Sequence, residues 1–268
     1  MLPNVLSIAG TDPSGGAGVQ ADLKTFGALG AYGMAVITAV LAQNTQAVRS
    51  IQTISPSLFA DQLDSVFEDI RVDAVKIGMV ANSKLVEILA NRLRYYQAKN
   101  IVFDPVMVAS SGKTLLDEDA LAVIRQQLIP LTSIITPNLP EAAVLLGAEP
   151  CHSVAAMREQ VLELKSLGST WVLLKGGHLG AELACTDVLT DGQVTHEFST
   201  PRIITKNGHG TGCTLSSAIA ALLPKQSVEE SVHRAKQYLQ QALMASDQLE
   251  VGKGRGPLHH FYQLKSEF

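Results

Sequence analysis

The chain has 268 residues, 46% of them hydrophobic and 17% charged, with a formal net charge of −4. An apolar, weakly charged chain can bury enough surface to offset its ordering entropy, which excludes disorder as the main state, and without a basic excess it cannot neutralise nucleic-acid phosphates. Its longest apolar run, 34–42, is far too short to cross a bilayer, and the N-terminus has no signal-peptide pattern, so the expected setting is the cytoplasm, with no nucleic-acid partner and no membrane.

Short apolar runs alternate with longer amphipathic patterns along the chain. Val5–Ile8, Met34–Leu41, Ala74–Ile77, Ile101–Phe103, Ser133–Ile135 and Trp171–Leu174 read as strands buried on both faces. Ser55-Pro56 reads as an N-cap followed by a first-turn proline, opening a helix to about Asp69. Ser153 caps a helix with Val154, Met157, Val161 and Leu164 on one stripe, stopped by Gly168. Thr190-Asp191-Gly192-Gln193 is a hairpin turn between strands near 184–190 and 193–199, at a sheet edge. Ser227 and Glu230 form a capping box ahead of a stripe running from Val228 to Ala242. Strands alternating with helices predict an α/β fold with a mostly parallel central sheet and helices on both faces. Nothing divides residues 1–268, so one domain is expected. The three cysteines are odd in number and scattered, without a zinc or disulfide pattern.

Open α/β sheets bind ligands at the carboxyl ends of their strands. After the first strand comes the glycine-rich Ala9–Gly18 loop, which lacks the Walker A and GxGxxG spacings but brings backbone, including Gly10, close to a small ligand. In the following helix Asp22 falls on the apolar stripe between Phe26 and Leu29. A carboxylate there needs partners, either in the core or on a ligand. Gln43 ends the next strand and can read a heteroaromatic edge. Met79, after Gly78, can lie flat against a ring. Asp104, followed by Pro105 and Val106, sits where an acid holds a metal through water. Asn138 and Glu141 form an N-x-x-E at a helix start, a pattern that also describes an ordinary cap. Lys175 precedes two glycines and can reach a phosphate.

The strongest segment is Lys206–Thr214. Its Gly210-Thr211-Gly212 precede an apolar helix over Leu215–Leu223, so backbone N–H groups and the helix dipole make an anion hole. Cys213 falls in the first helical turn, where its thiol pKa is expected to be lowered. An anion hole, a phosphate lysine, acids suited to a metal and a small-ligand pocket together point to phosphoryl transfer.

These segments, in this order, resemble the bacterial hydroxymethylpyrimidine kinase/hydroxymethylpyrimidine phosphate kinase family of thiamine biosynthesis, within the ribokinase-like superfamily. The resemblance rests on Ser7–Gly18, Gln20–Phe26, Ala42–Thr45, Lys76–Met79, Asp104–Met107, Thr136–Glu141, Lys175–His178, Gly208–Thr214 and Gly256–Phe261. It implies a ribokinase-like three-layer sandwich and a homodimer. It also implies two successive phosphorylations by ATP: of 4-amino-5-hydroxymethyl-2-methylpyrimidine, then of its monophosphate. By the same resemblance Gln43, Gly10, Asp22, Met79 and Val106 surround the pyrimidine, and Lys175 contacts the ATP phosphates. Asn138, Glu141 and Asp104 position Mg²⁺ through water, and Gly210, Thr211 and Gly212 form the anion hole, with Thr211 and Gly212 also on the nucleotide side. Cys213 takes the place of the superfamily's aspartate base and accepts the hydroxyl proton. A monovalent cation beside the anion loop is left open. Gly208 stands where threonine is common in the family. The competing readings are a pyridoxal/pyridoxine kinase of the same superfamily and, in another class, a non-catalytic pyrimidine-binding sensor.

Overall fold

The structure is a computed structural model that describes residues 1–107, 118–180 and 184–264. In chain order the elements are β1 (Asn4–Ala9), α1 (Gly18–Ala28), β2 (Tyr32–Ile37), β3 (Ala39–Gln43), β4 (Val48–Thr53), α2 (Pro56–Asp69), β5 (Ala74–Ile77), α3 (Ser83–Tyr95), β6 (Ile101–Phe103), α4 (Glu118–Val123), β7 (Ile134–Ile135), α5 (Leu139–Leu146), α6 (Val154–Lys165), β8 (Trp171–Lys175), β9 (Ala184–Thr190), β10 (Thr195–Pro201), α7 (Thr211–Leu222) and α8 (Val228–Met244). Eight strands pair in the order β10-β9-β8-β7-β6-β5-β1-β2. They run parallel from β2 to β8, and the antiparallel hairpin β9–β10 closes one edge.

Strand side chains alternate between faces, which gives the sheet two separate cores. Leu6 and Ile8 of β1 pack on one side with Phe59 of α2, Leu89 of α3 and Val161 of α6. Val5 points the other way, toward Phe26 of α1, Ile219 of α7 and Ala235 of α8. All of these are fully buried, and each of them larger than alanine is worth about 1.5–3 kcal/mol of transfer free energy. The expected α/β sandwich, helices on both faces of a mostly parallel sheet, is therefore the observed one.

The outer helices are capped as their sequences predict. Ser55 Oγ accepts from Leu58 N–H, with Pro56 in the first turn, and Ser153 Oγ accepts from Ala156 N–H. Ser227 and Glu230 close a capping box. Asn82 caps α3 in the same way.

Two expectations are corrected. The run 34–41 is not one strand. Thr38 is fully buried, donates its backbone N–H to Ala9 O and its hydroxyl to Met79 O, and so breaks the chain between β2 and β3. β3 then leaves the main sheet and pairs antiparallel with β4. Its alternating burial, with Val40 exposed and Leu41 buried, marks a strand with one wet face. The helix expected over 215–223 also begins earlier, at Thr211, because Gly210 adopts φ +83° and turns the chain directly into it.

Candidate active site

A cavity of about 540 Å³ opens at the carboxyl ends of β1, β5, β6, β7 and β8. Strand order reverses between β1 and β5, the usual ligand crevice of an open parallel sheet. α1 and α7 both point their N-termini at this end. Neither has a side-chain cap or an acidic residue in its first turn. At α7 this leaves the first N–H groups facing the cavity, whereas in α1 the Gly18 N–H bonds the Cys213 thiol and Val19 N–H donates to Gly10 O. The loops before the two helices touch backbone to backbone: a Cβ on Gly210 would run into Gly16 O, and one on Gly18 into Gly10 O. Gly210 and Gly18 also have positive φ. Glycine is required at both positions for space and for conformation.

One end of the cavity is apolar with a polar edge. Met79 Cε lies against Gly10, and Met79, Ala39 and Leu41 form a small cluster with Val106 packed on it. Gln43, Gly10, Met79 and Val106 all line this end. Gln43 Nε2 is 3.2 Å from His209 Nε2, and the same imidazole nitrogen is 2.7 Å from Asp12 Oδ2. Asp12 also accepts from Ser14 N–H and hydroxyl and from the N–H groups of Gly16 and Ala17. Burial opposes its charge, but His209 and Ser14 outweigh that and hold the carboxyl below its usual range. Asp12 and His209 thus tie the first glycine loop to the anion loop. Sequence reasoning passes over both, because 197 positions separate them.

The other end is charged. Lys175 Nζ lies 2.8 Å from Asp104 Oδ1 and 3.9 Å from Glu141 Oε2. An ideal Cβ on Gly212 would be 3.4 Å from both Lys175 Nζ and Asp104 Oδ2, so this ammonium faces the start of α7. Burial works against charge on Lys175, but Asp104 and Glu141 keep its pKa above the ordinary lysine value. Asp104 is buried too, yet Lys175 and Lys76 hold it below the usual carboxylate range. Glu141 differs: burial, with Asp104 adding to it, raises its pKa to about 7 despite Lys175. Asn138 and Glu141 do form the capping box of α5, with Glu141 Oε2 accepting from Asn138 N–H at 2.7 Å. The cap reading of N-x-x-E is observed, and the cap also fixes Glu141 at the cavity wall.

Two expectations about individual residues are overturned. Asp22 does not face the cavity. It is fully buried beneath it, with Lys76 Nζ at 2.9 Å from each carboxylate oxygen and the Ser7 and Ser217 hydroxyls at 2.6 and 2.7 Å. Its place on the apolar stripe of α1 serves the core. Cys213 does sit in the first turn of α7 on the cavity wall, but its thiol pKa is not lowered. Burial pushes it up to about 11. Lys76 and the Gly18 N–H pull it down, while Asp22 and Asp104 push it further up. Lys76, His178 and Arg255 also belong to the cavity; the first two lie in segments that carry the family resemblance without being assigned a role there, and Arg255 just precedes another.

A mostly parallel sheet between helix layers, with the uncapped N-terminus of α7 and a lysine converging beside its switch point, suits a small-molecule kinase of the ribokinase-like fold, the class of its solved neighbours. Residues 12–259 match the phosphomethylpyrimidine kinase family. The chain is 54% identical over 260 residues to the hydroxymethylpyrimidine/phosphomethylpyrimidine kinase of Escherichia coli (strain K12), covering 97% of each chain. Among solved structures it superposes on the phosphomethylpyrimidine kinase of Clostridium difficile 630 with a TM-score of 0.80 at 41% identity, over 90% of this chain and 99% of that one. It also superposes on an ADP complex of Bacillus subtilis pyridoxal kinase, with a TM-score of 0.89 at 33% identity over 98% and 99%. The chain belongs to the phosphomethylpyrimidine kinase family.

Proposed function

We propose that this chain transfers the γ-phosphate of ATP to the hydroxyl of 4-amino-5-hydroxymethyl-2-methylpyrimidine and then to the resulting monophosphate, giving the diphosphate used in thiamine biosynthesis. The observation that carries this reading is one cavity with two unlike ends. A flat apolar slot edged by the Gln43 amide suits a small heteroaromatic ring, and Lys175 facing an uncapped helix N-terminus suits a phosphoryl group.

In this reading Gln43 hydrogen-bonds the ring edge, while Gly10, Met79 and Val106 enclose its faces. Lys175 holds the ATP phosphates, and the N–H groups of Gly210, Thr211 and Gly212 bind the transferred group. Cys213 lies at the acceptor oxygen and, in its thiolate form, takes up the hydroxyl proton. The oxygen-only donor set fits Mg²⁺, which is held by one or two carboxylates together with substrate phosphates and waters. Glu141, with Asn138 fixing it and Asp104 beside it, would hold the ion. No group of three or more His, Cys, Asp and Glu side chains that could hold a metal ion occurs among the described residues. Bound there, Mg²⁺ would neutralise charge on the phosphates. The same reading takes residues 1–268 as one kinase domain working in the cytoplasm as a homodimer. No helix of the described residues is long and apolar enough to cross a membrane.

The similarity to a pyridoxal kinase structure keeps pyridoxine as a competing acceptor. The deciding experiment gives purified protein Mg-ATP with hydroxymethylpyrimidine, its monophosphate, pyridoxine, hydroxyethylthiazole and ribose separately, and identifies products by mass spectrometry. Pyrimidine mono- and diphosphate are the expected products. Turnover of another alcohol with no pyrimidine diphosphate would refute the reading.

A further inference from the structure

The two transfers proposed above present very different acceptors to the same cavity. The first is a neutral alcohol. The second is a phosphate monoester carrying between one and two negative charges at neutral pH. The cavity's two lysines are already engaged, Lys175 by Asp104 and Glu141 and Lys76 by Asp22. A second dianion beside the ATP phosphates therefore calls for a further cation.

Arg255 supplies one at the right place. It lines the cavity, its side chain is exposed, and no ion pair to its guanidinium is found among the described residues. Its backbone is clamped. Arg255 N–H donates to Thr45 O at 2.9 Å, and Gly254 N–H to Thr45 Oγ1 at 3.1 Å. On the other side His209 N–H donates to Gly256 O at 3.0 Å. The flanking glycines leave no room for slack: a Cβ on Gly254 would strike Thr45 O, and one on Gly256 would strike Asn207 Oδ1. The arginine is thus fixed between the loop that follows Gln43 and the loop that leads into the anion hole.

Gly208 completes the arrangement. An ideal Cβ on it would lie 3.1 Å from Arg255 Nη2, so the guanidinium rests across the backbone that a side chain would otherwise cover. Its position borders both the ring end and the start of the phosphate end. Resting on the functional reading above, we propose that Arg255, seated over Gly208, is the residue that binds the phosphate of the monophosphate acceptor and so serves the second transfer selectively. In that transfer an acceptor phosphate oxygen forms a bond to the γ-phosphorus. The bond from the γ-phosphorus to the β–γ bridging oxygen breaks, and ADP leaves with that electron pair. A fork of N–H donors on the acceptor phosphate offsets repulsion from the nucleotide.

The test compares Arg255→Gln, Arg255→Lys and Gly208→Ala with wild type. KM and kcat are measured for hydroxymethylpyrimidine, its monophosphate and ATP, and thermal melting serves as a check on folding. Arg255→Gln should raise KM for the monophosphate by about 10-fold or more, the scale of a lost charge-assisted hydrogen-bond pair, and alter the alcohol's constants far less. Arg255→Lys should recover part of the loss, and Gly208→Ala, by crowding the guanidinium, should show a smaller version of it. Equal losses for both acceptors, a raised KM for ATP with the alcohol as acceptor, or unchanged kinetics would each overturn the assignment. Wild-type protein that phosphorylates neither pyrimidine would overturn the functional reading instead, and this one with it.

Discussion

Cys213 illustrates how one position can be legible and its chemistry not. Its place in the first turn of α7 follows from the glycines before it, but its raised pKa depends on Asp22, Asp104 and Lys76, which arrive from three other elements. Burial near two carboxylates outweighs a helix terminus and one cation. At pH 7 the group is a thiol, and the thiolate fraction grows tenfold per pH unit up to about 11. If Cys213 takes the acceptor proton, kcat for the hydroxymethyl substrate should climb between pH 7 and 9, and Cys213→Ala should abolish that climb and lower turnover by ~10²-fold or more. The monophosphate acceptor has a phosphate oxygen already able to attack without losing a hydroxyl proton, so its loss should be smaller. Pre-steady-state rates with each acceptor check both points. A flat profile in wild type, with near-normal Cys213→Ala activity, would remove the sulfur from proton transfer.

At the level of elements, what can be read from sequence is whatever is local. Ser55, Ser153, Ser227 and Asn138 each announce a helix within three residues, and each cap is present. The departure of β3 and its pairing with β4 escape such a reading because the cause is Thr38 bonding Met79, 41 positions away. The exposed Val40 beside buried Leu41 is the available local sign. α7 shows the converse of capping: its first turn carries no side-chain cap and no acidic residue, as the proposed anion hole requires. This makes Gly212 an informative position. A methyl group there meets Lys175 Nζ and Asp104 Oδ2 at ordinary contact distance, and alanine suits a helix better than glycine. Gly212→Ala should therefore keep or slightly raise the melting temperature while filling the space for the transferred group. A fall in kcat of ~10²-fold or more with unimpaired thermal stability is the expected result. Parallel loss of both would mean that the glycine serves the fold and not the anion hole.

For the whole molecule, the low charge content leaves few ionic groups inside, and the most buried pair holds the layers together beneath the site. Lys76 comes from β5 and Asp22 from α1, and both are fully buried. Ser7 of β1 and Ser217 of α7 complete the carboxylate's shell. Two sheet strands and both helices that aim at the cavity thus meet at one carboxylate. Burial alone would discharge Lys76, but Asp22 beside it, helped by Cys213 and Asp104, holds its pKa well above the ordinary value. The sequence places Asp22 on an apolar stripe without showing that its partner lies 54 positions on. A paired buried charge adds little net stability over an apolar replacement, yet removing one member strands the other, at about 3–5 kcal/mol. Lys76→Met and Asp22→Asn should each be strongly destabilising. The double variant should be markedly less so than their sum, because the amide that replaces the carboxylate can still bond Ser7 and Ser217 and no uncompensated charge remains. Urea unfolding of the four proteins at one pH measures this coupling. Strict additivity would mean that the pair does not act as a unit, and that α1 and α7 are held at the site by their apolar contacts alone.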